Sequence, residues 1–159
     1  ERHPRCIQSL LKYLNKMNFQ KLAIATVVGT VFLLLMDMVW YTQIMKDSMN
    51  MPNMRPEPDM MWMVISYIIV ALAFAAIYSK WSGGGSKVNS GLNYGLWIGL
   101  FAGLGMNLMW FSLTTSMTLN QVLSDSAYTI VKYIIAGIIV AFVYGMGDGV
   151  RGKASGGGE

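Results

Sequence analysis

The sequence predicts an all-α protein, a four-helix transmembrane bundle with up-down-up-down topology. Three observations support this prediction: four apolar runs of spanning length, a low content of charged residues, and basic residues gathered on one side of the runs. The runs are residues 22–45, 60–79, 91–112 and 126–147. An α-helix rises about 1.5 Å per residue, so roughly 20 residues cross the roughly 30 Å of hydrocarbon in a bilayer.

The composition of the chain fits helices surrounded by lipid. Charged residues make up 13% and apolar residues 54% of the 159 residues, whereas ordinary soluble domains contain about 25% charged residues. In hydrocarbon every backbone N–H and C=O group must be bonded within its own helix or within a closed barrel. The runs lack the period-two alternation of barrel strands, so we expect helices and the lipid bilayer as their partner.

Basic residues flank the runs unevenly, and this unevenness predicts the orientation. On one side, the loop after the first run offsets Lys46 and Arg55 with three acidic residues, and the loop after the third run has no Lys or Arg. By the positive-inside rule the other side, which carries both termini, is cytoplasmic. The distribution also explains the formal charge of +4, so nucleic acid is not expected as a partner. The basic residues on the cytoplasmic side are Arg2, Arg5, Lys12, Lys16, Lys21, Lys80, Lys87, Arg151 and Lys153.

The segments outside the runs are assigned from their composition. Residues 1–21 are expected to be a cytoplasmic amino-terminal segment, in which residues 4–16 form an amphipathic helix on the membrane surface. Residues 148–159 are rich in glycine and are expected to form a flexible cytoplasmic tail. Aromatic residues near the ends of the runs are interpreted as anchors in the headgroup region, and they are Trp40, Tyr41, Trp62, Trp81 and Trp110.

Glycines recur every fourth residue in the third run. Gly91, Gly95, Gly99 and Gly103 fall on one face of a helix, where another backbone can approach closely. We expect this face to pack within the bundle; a homodimer or a contact with another membrane protein is the alternative. Small residues at the same interval in the other runs are Ala25, Gly29, Ala71, Ala75, Gly137, Ala141 and Gly145.

Three stretches of the chain resemble a family of small four-span bacterial membrane proteins of unknown function, a Bacteroidetes-type domain. They are MNFQKLAIATVVGTVFLLLMDMVWY, GLNYGLWIGLFAGLGMNLMWF and LSDSAYTIVKYIIAGIIVAFVYG, and the resemblance covers residues 17 to 147. It implies a compact bundle in the bacterial inner membrane and brings no catalytic residues. Where the family tends to have an apolar residue or glycine, this chain has Asp37, so the resemblance assigns that residue no role.

Two ionisable residues interrupt the apolar runs, Asp37 in the first and Lys132 in the fourth. Counted from the outer ends of their runs, they lie about 12 Å and about 9 Å deep. A charged side chain near mid-membrane costs about 2.5 kcal/mol or more and usually finds a partner inside the bundle. We therefore predict that Asp37 pairs with Lys132, with Asn107 and Tyr67 as hydrogen-bonding neighbours. Such a cluster is either a structural ion pair, or a substrate or proton site; a Lys132 that reaches outward to the headgroups is the third interpretation.

Methionines are concentrated around the loop after the first run. The spacing of Met49, Met51 and Met54 is typical of segments that handle copper outside the cytoplasm, because thioether sulfur is a soft ligand suited to Cu(I). The alternative interpretation is a flexible apolar filler at the interface, which needs no metal.

No catalytic role and no cofactor are expected. The one histidine, His3, lies outside the runs, so the bundle has no residue for a histidine-based zinc, haem or Ser-His-Asp site. The leading interpretation is an accessory or scaffold protein that packs against itself or against another membrane protein. The alternatives are a small transporter that uses Asp37 and Lys132, or a copper handler that uses the methionine loop.

The predicted orientation can be tested by labelling single cysteines introduced at Asn53 and Ser86 after Cys6 is replaced by serine. An impermeant thiol reagent added to intact cells should modify position 53 and leave position 86 unmodified until the cells are opened. Labelling of position 86 alone in intact cells would show that the orientation is the reverse.

Overall fold

The computed structural model describes residues 19–46, 59–81, 86–114 and 117–145, which form four long helices and, within these ranges, no strand. The helices are α1 (Phe19–Ile44), α2 (Met60–Tyr78), α3 (Lys87–Leu113) and α4 (Leu119–Gly145), and each is long and apolar enough to span a membrane. The predicted all-α four-helix fold is confirmed, and the chain is a multi-pass membrane protein. The predicted surface helix, the carboxy-terminal tail and Met49, Met51 and Met54 lie outside the described residues.

Polar caps set the points at which α2, α3 and α4 begin. The Asp59 side chain accepts hydrogen bonds from the backbone N–H groups of Met61 and Trp62, and Ser86 accepts one from Asn89. At α4, the Thr118 N–H donates to Gln121 Oε1 at 2.8 Å while the Gln121 N–H donates to Thr118 Oγ1 at 3.4 Å, which is a capping box.

This capping box makes α4 longer than the apolar run within it. The helix begins at Leu119, seven residues before the run that starts at 126. The turns added in front of the run include Asp125, so this carboxylate is part of the helix. Lys132 consequently lies in the middle of a 27-residue helix, farther from the end of that helix than the run alone indicates.

Two segments of the helices are π-helical, Trp40–Ile44 at the end of α1 and Leu100–Gly105 in the middle of α3. A π turn holds one more residue than an α turn, so it shifts the face that the following residues present. Such segments are rare and often occur at functional sites. A prediction of helices from an apolar period of 3.6 residues does not reveal these segments.

The four helices form an antiparallel bundle in which α4 contacts each of the other three. The most extensive contact is between α3 and α4; α1 packs against both α2 and α4. Residues early in α1 meet residues late in α4, as in the hydrogen bond from Lys21 Nζ to Tyr144 O. The buried core residues include Leu33, Ala75, Tyr94, Val122 and Val140.

All four glycines of the α3 stripe face the backbone of α4. A Cβ added at Gly91 would lie 2.6 Å from the carbonyl oxygen of Gly137, and one at Gly99 would lie 2.8 Å from the Cα of Ile130. The corresponding positions at Gly95 and Gly103 meet the carbonyl oxygens of Tyr133 and Ser126. Side chains other than hydrogen would therefore force the two helices apart. On α4, Gly137 packs in turn against the backbone of Gly91 and Gly95, and the Ala141 methyl lies beside Gly91.

Two lysines bind the carboxyl end of α4. Lys21 Nζ donates to Tyr144 O at 2.6 Å, and Lys87 Nζ donates to Gly145 O at 2.7 Å. The last carbonyl groups of a helix have no partner within the helix, and this end carries partial negative charge. The starts of α1 and α3 are thereby fastened to the end of α4.

The outward faces of the helices are apolar, as a bilayer requires. Along α1, Val27, Val31 and Leu35 are exposed one turn apart. Exposed Ile69 on α2 and Phe142 on α4 continue this surface around the bundle. These side chains would be costly in water and are compatible with contact to lipid.

The close contact of α3 with α4 predicts that Gly95→Ala lowers the free energy of unfolding by about 1–3 kcal/mol, the usual range for overpacking. Unfolding in mild detergent, followed by circular dichroism, measures the change. Gly105→Ala is the matched control on the same helix, since a Cβ there has only Leu100 O nearby, at 3.7 Å. Equal stability of the two variants would contradict close packing at Gly95.

Candidate functional site

The predicted pair of charged residues forms a short contact inside the bundle. Lys132 Nζ lies 2.7 Å from Asp37 Oδ1 and 3.0 Å from Oδ2, so the ammonium group bridges both oxygens. Both side chains are buried, with relative exposures of 8% and 9%. The ion pair therefore joins α1 to α4.

Two tyrosines complete the surroundings of Asp37. Tyr67 of α2 donates its hydroxyl hydrogen to Oδ2 at 2.6 Å, and Tyr128 of α4 donates to Oδ1 at 2.9 Å. Each carboxylate oxygen thus accepts two hydrogen bonds. A carboxylate offers about four acceptor positions, so the acceptor capacity of Asp37 is filled.

Aromatic rings surround the ammonium group of Lys132. Its Nζ atom lies 5.2 Å from the centroid of the Tyr128 ring and 5.5 Å from that of Tyr133. A cation within about 6 Å of a ring face is attracted by the ring quadrupole. These contacts, together with Asp37, hold Lys132 inside the bundle. The interpretation in which Lys132 reaches outward to the headgroups therefore does not agree with the structure.

Asn107 was predicted beside this pair, but it belongs to a second cluster. Its side-chain amide donates to Asp125 Oδ2 at 2.8 Å and lies 3.4 Å from Ser126 Oγ. The π-helical segment of α3 ends just before Asn107, at Gly105. Because α4 begins before Asp125, a carboxylate lies within reach of this amide.

Asp125 binds α1 as well as α3. Its Oδ1 atom accepts hydrogen bonds from Trp40 Nε1 at 3.2 Å and from the Tyr41 hydroxyl at 3.0 Å. Both donors lie in the π-helical segment at the end of α1. Among the described residues, Asp125 has hydrogen bonds only from neutral donors and no ion pair.

The two carboxylate clusters touch through a pair of stacked rings. The Trp40 and Tyr128 rings lie parallel, with centroids 4.1 Å apart and an interplanar angle of 2°. Trp40 binds Asp125 through its N–H, and Tyr128 binds Asp37 through its O–H. A continuous polar and aromatic region therefore extends from Asp125 to Lys132.

Sequence reasoning did not assign Asp125 and Tyr128 to a polar site, and it interpreted Trp40 and Tyr41 as membrane anchors. One pattern in the sequence could have identified the first two: Asp125, Tyr128 and Lys132 are spaced three and four residues apart, which places them on one face of a helix. Recognising that face required extending the fourth helix beyond its apolar run.

The methionine cluster proposed for copper is not part of the described structure. Met49, Met51 and Met54 lie outside it, and the residues that the structure describes contain no group of three or more His, Cys, Asp or Glu side chains that could hold a metal. The candidate site that the described residues form is therefore the pair of carboxylate clusters.

The arrangement at Asp37 predicts energetic coupling with Lys132. Asp37→Asn and Lys132→Met should each cost about 3 kcal/mol or more, because each leaves one buried charge unpaired, and the double variant should recover part of the loss. A double-mutant cycle of unfolding in detergent measures the coupling.

The control for this cycle combines Asp37→Asn with Lys87→Met, since Lys87 binds the end of α4, far from Asp37 along the bundle. Effects of this second pair should add. Additivity in both cycles would show that the contact between Asp37 and Lys132 does not stabilise the protein.

Comparisons of the chain with protein-family models, with curated proteins and with solved structures found no match. The resemblance to small four-span bacterial proteins stays a prediction from the sequence.

Proposed function

We propose that the chain is a small accessory or scaffold subunit in the inner membrane of a bacterium, with both termini in the cytoplasm, and that it acts through helix packing with a membrane partner. The partner is another membrane protein or a second copy of the chain. Two features support the proposal: the hydrogen bonds of Asp37 inside the bundle, and the exposed aromatic rings on the outer face of α3.

The observation that carries the proposal is the saturation of Asp37. Four hydrogen bonds from Lys132, Tyr67 and Tyr128 fill its acceptor positions. A substrate that used this carboxylate would have to displace at least one of these donors and leave Lys132 or a tyrosine unpaired. Such a network favours a rigid bundle over a transport site.

A surface for the partner is offered by the face of α3 that points away from α4. Trp97 and Phe101 lie there one turn apart and are among the most exposed residues, at 62% and 68%. Both are near the middle of the 27-residue helix, whereas tryptophan in membrane proteins prefers the headgroup region. A tryptophan at mid-membrane is better accommodated against another protein, where aromatic side chains are enriched.

The other interpretations from the sequence have less support. Transport through Asp37 and Lys132 requires opening a saturated network. Copper handling depends on Met49, Met51 and Met54 alone, which lie outside the described residues. Neither has an observation that favours it over a packing role.

The proposal predicts that a photoreactive amino acid at position 97 crosslinks in cells to a protein of one defined mass, either a companion or a second copy. The same amino acid in place of Val27, an exposed residue on α1, should crosslink to lipid only. The protein should also leave the membrane in mild detergent as a complex of fixed composition. A monomer in detergent together with only lipid adducts at both positions would contradict the scaffold role.

A further inference from the structure

We propose that Asp125, together with the rings of Trp40 and Tyr41, forms a binding site for an ammonium group. The site lies near the end of the bundle at which α1 ends and α4 begins. The ligand class is an organic ammonium ion, carried either by a phospholipid headgroup or by a small amine in the surrounding water.

The two carboxylates differ in how their charge is balanced. Asp37 and Lys132 neutralise each other at 2.7 Å. Asp125 has no ion pair among the described residues, and its three donors are neutral. Ionisable groups inside membrane helices usually pair with an opposite charge. Within the part of the chain that the structure describes, the second cluster therefore has no cation corresponding to Lys132 in the first.

Asp125 has one acceptor position that no described donor occupies. Trp40, Tyr41 and Asn107 occupy three positions on its two oxygens, and a carboxylate offers about four. One position can accept an N–H donor from outside the bundle. Asp125 is only partly buried, whereas Asp37 has a full set of donors and is buried.

The groups around Asp125 favour one kind of cation. The indole N–H of Trp40 and the hydroxyl of Tyr41 both donate to the carboxylate, so the edges of two aromatic rings lie beside it, and Tyr128 covers one face of the Trp40 ring. A primary ammonium group can donate an N–H to the open acceptor position of Asp125 and be attracted by an uncovered ring face. Bare Ca²⁺ or Mg²⁺ requires a shell of about six oxygen ligands, and indole supplies none. The composition of the site therefore favours an organic ammonium ion.

The site lies at a shallow depth in the bundle. Asp125 lies six residues after Leu119, the first residue of α4, which corresponds to about 9 Å along the helix axis. With the start of α4 at the membrane surface, Asp125 lies close to the boundary between headgroups and acyl chains, where both lipid amines and dissolved amines can reach it. The structure describes two π-helical segments, and both lie near this carboxylate. Trp40–Ile44 contains two of its donors, and Leu100–Gly105 ends two residues before the third donor, Asn107. Such segments are frequent at functional sites.

The soluble source is tested by unfolding the full chain in detergent at increasing ethylammonium chloride, with sodium chloride at the same ionic strength as reference. Binding to the folded state raises the unfolding temperature as the ligand concentration rises. Asp125→Asn should weaken the apparent affinity about ten- to a hundredfold, because it removes a charge-assisted hydrogen bond. Asp59→Asn is the matched control: it makes the same change at the same end of the bundle, and asparagine is an equally good helix cap.

The lipid source is tested in nanodiscs that contain equal amounts of phosphatidylethanolamine and phosphatidylglycerol. Native mass spectrometry then measures which lipids remain bound to the released protein. Retention of phosphatidylethanolamine by the parent and by Asp59→Asn, with loss in Asp125→Asn, assigns the site to a headgroup. Stabilisation by ethylammonium without lipid retention assigns it to a soluble amine.

A third variant keeps the proposal testable if Asp125→Asn does not fold. Trp40→Phe retains the carboxylate but removes the indole N–H that orients it and leaves a smaller ring beside it, so it should reduce ethylammonium affinity several-fold. The proposal is overturned if Trp40→Phe, or a folded Asp125→Asn variant, binds ethylammonium with the same affinity as the parent. The proposal is also overturned if the parent shows neither stabilisation by ethylammonium nor retention of phosphatidylethanolamine.

Discussion

The bundle depends on one constraint: Lys132 lies in the middle of a helix that spans the membrane, where an unpaired ammonium group is costly. The side chain is satisfied by a carboxylate from α1, and that carboxylate is satisfied by tyrosines from α2 and α4. Three helices therefore meet at Asp37. A shift of one helix along another would separate charges and donors together, so the cluster selects a single register.

The third helix, α3, packs into the bundle through different contacts. No residue of α3 contributes to the hydrogen bonds of Asp37. Instead, four glycines let its backbone approach α4 closely, and the hydroxyl of buried Tyr94 donates to Phe74 O of α2 at 2.6 Å. The contact of α3 with α4 therefore combines dispersion over a smooth glycine surface with polar contacts toward its two ends, where Lys87 binds Gly145 O and Asn107 binds Asp125.

The sequence was sufficient for those features that depend on composition or regular spacing. Four apolar runs predicted the four helices, and the isolated charges Asp37 and Lys132 identified two side chains that needed a partner in hydrocarbon. The expected partner of Asn107 was wrong, since its amide binds Asp125. Hydropathy left Asp125 outside the fourth run, whereas the Thr118–Gln121 capping box includes it in α4. The π-helical segments could not be predicted either, since they depend on how α1 and α3 pack in three dimensions rather than on local propensity.

The two carboxylates show how similar residues can take different roles within one bundle. Asp37 is paired with a cation, saturated with donors and buried, so its replacement leaves Lys132 unpaired and weakens the contact between α1 and α4. Asp125 has only neutral donors and partial exposure, so its charge can be compensated from outside without opening the core. Trp40 and Tyr128 stack between them, and Trp40 cannot turn to follow a ligand at Asp125 without giving up that contact. A cation bound at Asp125 would therefore be held by a part of the bundle that the ion pair has already made rigid, which lowers the entropic cost of ordering the site.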